Sequence, residues 1–419
     1  MLDIRTLRED PEGVADRLRT RDPEVDLTTL LELDDERLAL LREVEALKAR
    51  RNEGSQEVGE RKKRGEDASD LLAEMGDLST AIGDLEKRLR EATERLGEWL
   101  AELPNVPHAS VPSGGKDEGV VLRTEGDRPG DEPWRKNHLQ IGSDRGLLDF
   151  ARGAQIAGAR FPMYVGLGAR LEMALIQFMF AHHVERGYTP VWPPFVASRE
   201  SLFVASQLPK FADDVYQMER DELYLNPTAE SLLVNLHRGE ILDGDDLPLR
   251  YVAYTPCFRR EAGSYGEEER GLIRVHQFNK VELFAYTTPD DSYDCLERLI
   301  ADAESVLQAL GMHYRVVLLA SADLAQQAAK TIDLEVFLPG QGRYYEVSSC
   351  SNCEAFQARR GSIRYRPRPK EKPAFVHTLN ASGLATSRLV AALLENNQQE
   401  DGSILLPEVL RPLLGVDVL

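Results

Sequence analysis

The sequence predicts an α+β protein: a mainly antiparallel sheet with flanking helices, preceded by an N-terminal antiparallel α-helical coiled-coil arm. Three observations carry this reading. Two heptad runs fill most of the first hundred residues around one short polar break, the pattern of two helices joined along an apolar seam. Beyond Gly187, short strands outnumber crossover helices and neighbours read as hairpin-connected, which favours antiparallel pairing. At 254–284 the stretch YTPCFRREAGSYGEEERGLIRVHQFNKVELF reads as two strands joined by a loop dense in Arg, Glu and Gly.

A chain of 419 residues has room for about two to three domains, and 42% hydrophobic content is ordinary for a soluble protein. No run approaches the roughly 18 to 20 apolar residues of a membrane span. The start, MLDIRTLRED, is charged from its third residue and lacks an apolar signal core, so a cytoplasmic location is expected and no membrane partner. A formal charge of −20 argues against coating nucleic acid over a whole surface; a nucleic-acid partner held at a local basic patch remains compatible with it. Four cysteines do not make a disulfide framework in this length.

In chain order, residues 1–26 read as a short helical lead-in with turns at Pro11 and Pro23. Leu30, Leu33, Leu40, Val44 and Leu47 then lie on a 3-4 repeat that Arg37 interrupts. Leu71, Met75, Leu78, Ile82, Leu85, Leu89, Ala92, Leu96, Trp99 and Leu103 continue on one register. The arm is expected over about 27–103 of an N-terminal domain 1–104, projecting from the body. At its turn, six basic residues (Arg50, Arg51, Arg61, Lys62, Lys63 and Arg64) stand against Glu53, Glu57 and Glu60, leaving a formal +3. Such a tip suits a nucleic-acid backbone, although solvated charges flanking a turn explain the arm alone equally well.

Pro104, Pro107, Pro112 and Gly114-Gly115 mark a linker over 105–135, which places the second domain at 136–419. A long amphipathic helix follows, then a strand ending at Pro193 and Pro194; His182 and His183 on that helix read as part of a packed or solvated face. No GxxxxGK[ST] and no GxGxxG is present, so neither a P-loop nor a Rossmann fingerprint explains nucleotide binding. The 254–284 hairpin is the better candidate. Its first strand delivers Arg259 and Glu261 to one side, and Arg270, Arg274, Val275, Phe278 and Glu282 follow. Guanidinium groups suit phosphate, an aromatic face suits a purine, and carboxylates suit a cation. The bland alternative is a surface hairpin with solvated ion pairs.

With the arm, the hairpin and the closing stretch NASGLATSRLVAALLENNQQEDG in view, the chain resembles the seryl-tRNA synthetases over essentially all of its 419 residues. Its body looks like that of the class II aminoacyl-tRNA synthetases. The long helix and the strand to Pro193 stand as motif 1, CFRREAG...RGLIRVHQFNKVELF as motif 2, and the closing stretch as motif 3. NPTAE, QLPKF and YEVSSCSNCEAFQARR add specificity.

The resemblance implies a role for each matching residue. Arg259 contacts the α-phosphate and the serine carboxylate, Arg260 and Glu261 complete an ATP-contacting triplet, Val275 lies beside the nucleotide and Phe278 stacks on adenine. Thr228, Ala229 and Glu230 bind L-serine, Glu282 receives its ammonium, and Ser382 contacts its side chain. Glu346, Val347, Ser348 and Ser349 form a second ATP stretch in which Glu346 and Ser349 hold Mg2+. Arg388 reaches the γ-phosphate. No covalent catalyst is implied, because arginines and Mg2+ along the triphosphate stabilise the charged transition state without a protein nucleophile.

The resemblance further implies a homodimer that serves tRNA(Ser), with tRNA(Sec) as a second substrate to consider and no DNA partner, and whose arm grips tRNA by phosphate and shape. Two alternatives stand beside it: a specialised paralogue (charging a carrier protein, or a resistant second copy), and a non-catalytic RNA-binding paralogue. The chain also departs from the family pattern. FVASQLPKF stands at 203–211 where GTGQLPKF is common, Asn226 where Ile is common, and NASGLATSR where NGSGLAVGR is common, so Ala381 and Ser387 replace glycines. Cys350 and Cys353 form a CxxC without a second pair, read as structural thiols with no zinc expected.

Overall fold

Two long helices, Thr28–Arg64 (α1, 37 residues) and Ser69–Glu102 (α2, 34 residues), make up most of the N-terminal unit in the computed structural model of the chain. Residues 1–130, 132–262 and 271–419 are described; Arg270 of the hairpin lies outside them. The chain divides into two compact units, Leu2–Pro104 and Asn105–Leu419, the latter with Met1.

In the N-terminal unit the helices pack along the expected seam, with Leu40, Val44, Leu85 and Ala92 buried together and Leu47 and Leu89 beside them. The register slips at the far end of α2. Trp99 is 45% exposed and Leu100 is buried in its place. A straight helix drifts about 20° per heptad against a 3.5 repeat, so the four heptads from Leu71 accumulate nearly one residue's rotation. α1 ends at Arg64, where Gly65 adopts φ 74° and closes the helix by donating to the Arg61 and Lys62 carbonyls.

The six basic residues read as one tip separate into two groups. Arg61, Lys62, Lys63 and Arg64 share the last turn of α1. Arg50 and Arg51 lie about 15 Å back along the helix at 1.5 Å per residue, and Arg50 pairs there with Glu74. Arg61 is engaged by Glu57 and Asp70, and Arg64 by Glu57 and Glu66. Lys62 and Lys63 are exposed and form no ion pair among the described residues.

The second unit is built on an eight-stranded sheet: Val120–Glu125 (β1), Thr189–Val191 (β2), Leu249–Phe258 (β3), Gln277–Thr287 (β4), Tyr314–Leu318 (β5), Lys330–Leu338 (β6), Arg343–Asn352 (β7) and His377–Ala385 (β8). The order is β1-β5-β6-β7-β8-β4-β3-β2, antiparallel throughout except for the parallel β2–β3 edge. This is the antiparallel-dominated sheet that the hairpin-like spacing predicts. The stretch read as a linker contributes β1, whose Val120 and Val121 pair with Leu318 and Val317 of β5 before the register shifts at Leu122.

Helices Leu167–Glu185 (α3), Ser292–Ala309 (α4) and Thr386–Asn396 (α5) supply apolar side chains to the main core. Leu171, Leu175, Met179 and His183 of α3 recur at helical spacing and are all buried. His183 packs on β8 at Gly383, where a Cβ would meet its Nε2 at 2.8 Å, so a side chain there would have to displace the imidazole. Glu172 of α3 accepts from Asn279 Nδ2 at 2.8 Å and from the Thr386 hydroxyl, tying α3, the hairpin and α5 together. Burial pushes this carboxyl up from its ordinary range.

Candidate active site

Two adjoining cavities open on the sheet where β3, β4, β7 and β8 meet. The first, about 340 Å3, is lined by Thr228, Glu230, Arg259, Lys280, Glu282 and Ser382, among others. The second, about 100 Å3, shares Arg259, Glu261, Lys280, Glu346 and Ser382 with it and adds Arg274, Val275, Phe278, Val347 and Arg388.

The first cavity is walled by buried acids. Strand alternation puts Lys280 and Glu282 on one face of β4, and both are nearly inaccessible, at 6% and 1%. Lys280 Nζ donates to Thr228 Oγ1 at 2.6 Å and pairs with Glu282, while the Thr228 hydroxyl donates to Glu282 Oε2 at 3.0 Å. Across from them, Glu230 Oε1 accepts from Gln327, Gln357 and Asn380 at 2.9, 2.7 and 3.1 Å. Burial first, and the neighbouring Glu282 second, push the Glu230 carboxyl up to about 7. Two carboxylates against one lysine leave a net −1 when both are ionised, a charge matched to one ammonium.

Asn226, buried on the same loop, makes the departure from Ile intelligible. Its Nδ2 donates to Thr255 Oγ1 at 2.9 Å and to the Pro256 carbonyl at 3.2 Å, and its Oδ1 accepts the Thr228 N–H at 3.2 Å. The Thr228 loop is thereby fastened to β3. Lys280 is a residue that the sequence reading missed, as it did Gln327, Gln357 and Asn380, although Lys280 lies two positions from Glu282 on a strand buried from that point on.

The second cavity is walled by arginines. Arg388 donates through Nε to the Ile273 carbonyl at 3.1 Å and through Nη1 to the Glu346 carbonyl at 2.8 Å and to its Oε2 at 3.3 Å. Arg274 pairs with Glu261. The Arg259 guanidinium lies 5.2 Å from the centroid of the Phe278 ring, and its Nε donates to the Pro227 carbonyl at 3.3 Å. Glu261 reaches this wall by a route that strand alternation does not describe: β3 ends at Phe258, and Glu261 takes φ +53°, a left-handed conformation.

Three of the expected residues line none of the cavities described. Arg260 turns away, donating to the Val215 carbonyl at 3.2 Å with its guanidinium over Tyr216. Ala229 packs into an apolar cluster with Leu233 and Phe284, and Ser348 donates to the Ser382 carbonyl at 2.5 Å. Ala381 is buried between β7 and β4, and Ser387 lines the second cavity.

A third cavity, about 570 Å3, continues from the second past Glu346, Ser349 and Asp333. Asp333 faces Ser349 across the β6–β7 pair, and its buried Oδ1 has no hydrogen-bond partner among the described residues. Burial, then Glu346, hold its carboxyl well above the ordinary range. An oxygen-rich wall that leaves most coordination positions to other oxygens suits Mg2+ carried on a polyphosphate. Cys350 and Cys353 are both buried free thiols, pushed up by that burial.

Family models match both units. The seryl-tRNA synthetase N-terminal domain matches residues 1–107, and the class II core domain of the G, H, P, S and T tRNA synthetases matches residues 213–397. The serine–tRNA ligase of Carboxydothermus hydrogenoformans is 51% identical over 420 residues, covering 100% of this chain and 99% of the relative. That of Geobacter sulfurreducens is 52% identical over 417 residues, covering 99% of each. Among solved structures, the seryl-tRNA synthetase of Pyrococcus horikoshii complexed with ATP superposes with a TM-score of 0.94 at 40% identity, covering 100% of this chain and 99% of that one. The cytoplasmic serine–tRNA ligase of Naegleria fowleri in complex with AMP gives 0.88 at 29%, covering 100% and 98%. With a doubly acidic pocket set beside an arginine-lined one, and full-length relatives at half identity, the chain belongs to the seryl-tRNA synthetase family.

Proposed function

We propose that the protein is a serine–tRNA ligase that joins L-serine and ATP into seryl-adenylate and pyrophosphate, then transfers the seryl group to the 3′ end of tRNA(Ser), with tRNA(Sec) as a further acceptor to test. The observation that carries this reading is the common wall: Arg259 and Lys280 line both cavities, so a carboxylate held from one side meets a phosphate held from the other. Glu282 and Glu230 take the serine ammonium, and Ser382 and Thr228 give its hydroxyl polar partners. A site left with unpaired polar groups rejects alanine, which lacks that hydroxyl. Adenine stacks on Phe278 beside Val275, and Arg388 takes the far end of the triphosphate.

The serine carboxylate oxygen attacks the α-phosphorus and pyrophosphate leaves; Arg259 stabilises the charge that grows between them. Mg2+ bound with ATP at Glu346 and Ser349 would neutralise part of the triphosphate charge. In the second step a terminal ribose hydroxyl of tRNA attacks the seryl carbonyl and AMP leaves. The arm supplies the tRNA grip through Lys62 and Lys63, with Arg61 and Arg64 behind them. A homodimer would cover exposed Met173 of α3 and Trp192, 65% and 72% accessible, and a cytoplasmic location fits the chemistry. The test is pyrophosphate exchange with each amino acid, then charging of total tRNA. Serine-dependent exchange followed by charging is expected. Absence of serine-dependent exchange refutes the reading, and exchange without charging points to a carrier-protein ligase. Replacing both Lys62 and Lys63 by Ala should leave exchange intact while weakening charging and reducing its salt dependence.

A further inference from the structure

A buried histidine outside the cavities grips the segment that forms one wall of the nucleotide side. His138 opens the short helix His138–Asp144, is 1% exposed, and meets Glu395 near the C-terminal end of α5, which is wholly buried. Glu395 Oε1 accepts both the His138 backbone N–H at 2.9 Å and ring Nδ1 at 2.8 Å, and its Oε2 accepts the Gly340 N–H at 3.0 Å. On the ring's other side, Nε2 lies 3.2 Å from the Leu272 nitrogen and accepts its N–H. That bond fixes the tautomer, with the ring proton on Nδ1 and shared with Glu395.

The grip has a second, steric component. Gly271 adopts φ +71°, and a Cβ there would meet His138 Nε2 at 2.5 Å. The ring is therefore seated on Gly271 and bonded to Leu272. One residue further on, the Ile273 carbonyl accepts Arg388 Nε at 3.1 Å. Arg388 and Glu395 are two helical turns apart on one side of α5, about 10.5 Å at 1.5 Å per residue. The helix thus holds residues 272–273 at two points, directly through Arg388 and indirectly through Glu395 and the imidazole. Ile273, Val275 and Arg388 all line the second cavity.

We propose that His138, oriented by Glu395, is a positioning residue for the nucleotide side of the site: by holding the Leu272 N–H it places Ile273 and Val275, and through the Ile273 carbonyl it sets the Arg388 guanidinium. The inference rests on the serine–tRNA ligase reading and deepens it. Its signature is selective, because Thr228 and Glu230 of the serine pocket are fastened separately, by Asn226, Gln327, Gln357 and Asn380, and the bridge reaches that cavity's lining through the Arg388–Glu346 bond, on the side it shares with the nucleotide cavity.

The experiment compares two variants of the full chain. His138→Asn keeps an amide donor near Nδ1 for Glu395 but places nothing at Nε2; His138→Gln extends a carbonyl oxygen toward the Leu272 N–H. In serine-dependent pyrophosphate exchange, His138→Asn should raise KM for ATP about tenfold, the loss of one buried hydrogen bond, and leave KM for serine within about twofold. His138→Gln should recover most of that loss. Hydrogen–deuterium exchange of a peptide over residues 271–276 should quicken in His138→Asn and return toward the parent in His138→Gln. Equal effects on ATP and serine, no effect in His138→Asn, or an unchanged 271–276 peptide would each overturn the proposal. If the parent itself shows no serine-dependent exchange, the ligase reading falls, and the exchange rate of 271–276 alone still decides whether His138 holds that segment.

Discussion

The acid-walled and the arginine-walled cavities, proposed above as the amino-acid side and the nucleotide side, are built by opposite means. On the amino-acid side the carboxylates are buried and held by neutral amides, a hydroxyl and one lysine, so their geometry is set before any substrate arrives. On the nucleotide side the arginines are partly exposed and paired with local carboxylates, Arg274 with Glu261 and Arg388 with Glu346. A single ammonium brings one charge and needs a fixed, desolvated partner. A triphosphate brings several and can displace the carboxylates from their arginines, so parked ion pairs keep the guanidinium groups in place at little net stability. Substitutions on the first side should therefore raise KM for serine steeply, and those on the second should be graded by whether the side chain faces the cavity.

The largest effect should come from the wall the two sides share. Arg259→Ala removes the one arginine among the described residues that lines both cavities, and serine-dependent pyrophosphate exchange should fall about a thousandfold, as when a donor to developing charge is removed. A fall confined to KM for ATP would show that the two sides do not meet at Arg259.

Next in size is the acidic pocket. Glu282→Gln removes a buried charged partner of the ammonium and leaves Lys280 without its counter-ion, so KM for serine should rise about a hundredfold with KM for ATP little changed. The same variant sharpens a pH dependence. Glu230, pushed up to about 7, is ionised only above that pH, so kcat/KM for serine in the parent should fall as the pH drops below about 7. Because Glu282 is one cause of that upward push, removing its charge should move the midpoint of the profile to lower pH. A midpoint that stays put would mean that another group governs serine binding.

The architecture was legible where periodicity is local. Heptads gave the paired helices, and alternation with hairpin spacing gave the antiparallel sheet, because each pattern is enforced within a few residues by burial of one face. Legibility failed where accumulated angle or distant partners decide. Trp99 lost its seam position to slow helical drift. Glu261 reached its wall through a left-handed backbone that alternation cannot anticipate. His138 was invisible because its partners lie 257 and 134 residues away. Lys280 was within reach, since it shares a face with Glu282 and a lysine on a buried strand needs a buried partner.

The smallest expected effect is also the one that separates resemblance from geometry. Arg260 sits beside Arg259 in the motif, and position alone gives it a nucleotide contact. Its guanidinium instead covers Tyr216 at 4.8 Å and donates to the Val215 carbonyl, on a segment that also lines the first cavity through Asp214 and Val215. Arg260→Ala should then change KM for ATP by no more than about threefold, since what it loses is a surface cation–π contact and one hydrogen bond, worth together about 1 to 2 kcal/mol of local stability. The measurement is a thermal melt read beside exchange kinetics. A lower melting temperature with nearly parental kinetics supports a bracing role under the 214–216 segment. An ATP effect as large as that of Arg259→Ala would mean that the side chain swings into the nucleotide cavity when ATP binds, and the distinction between a fixed side and an exchanging side would then extend one residue further along the chain.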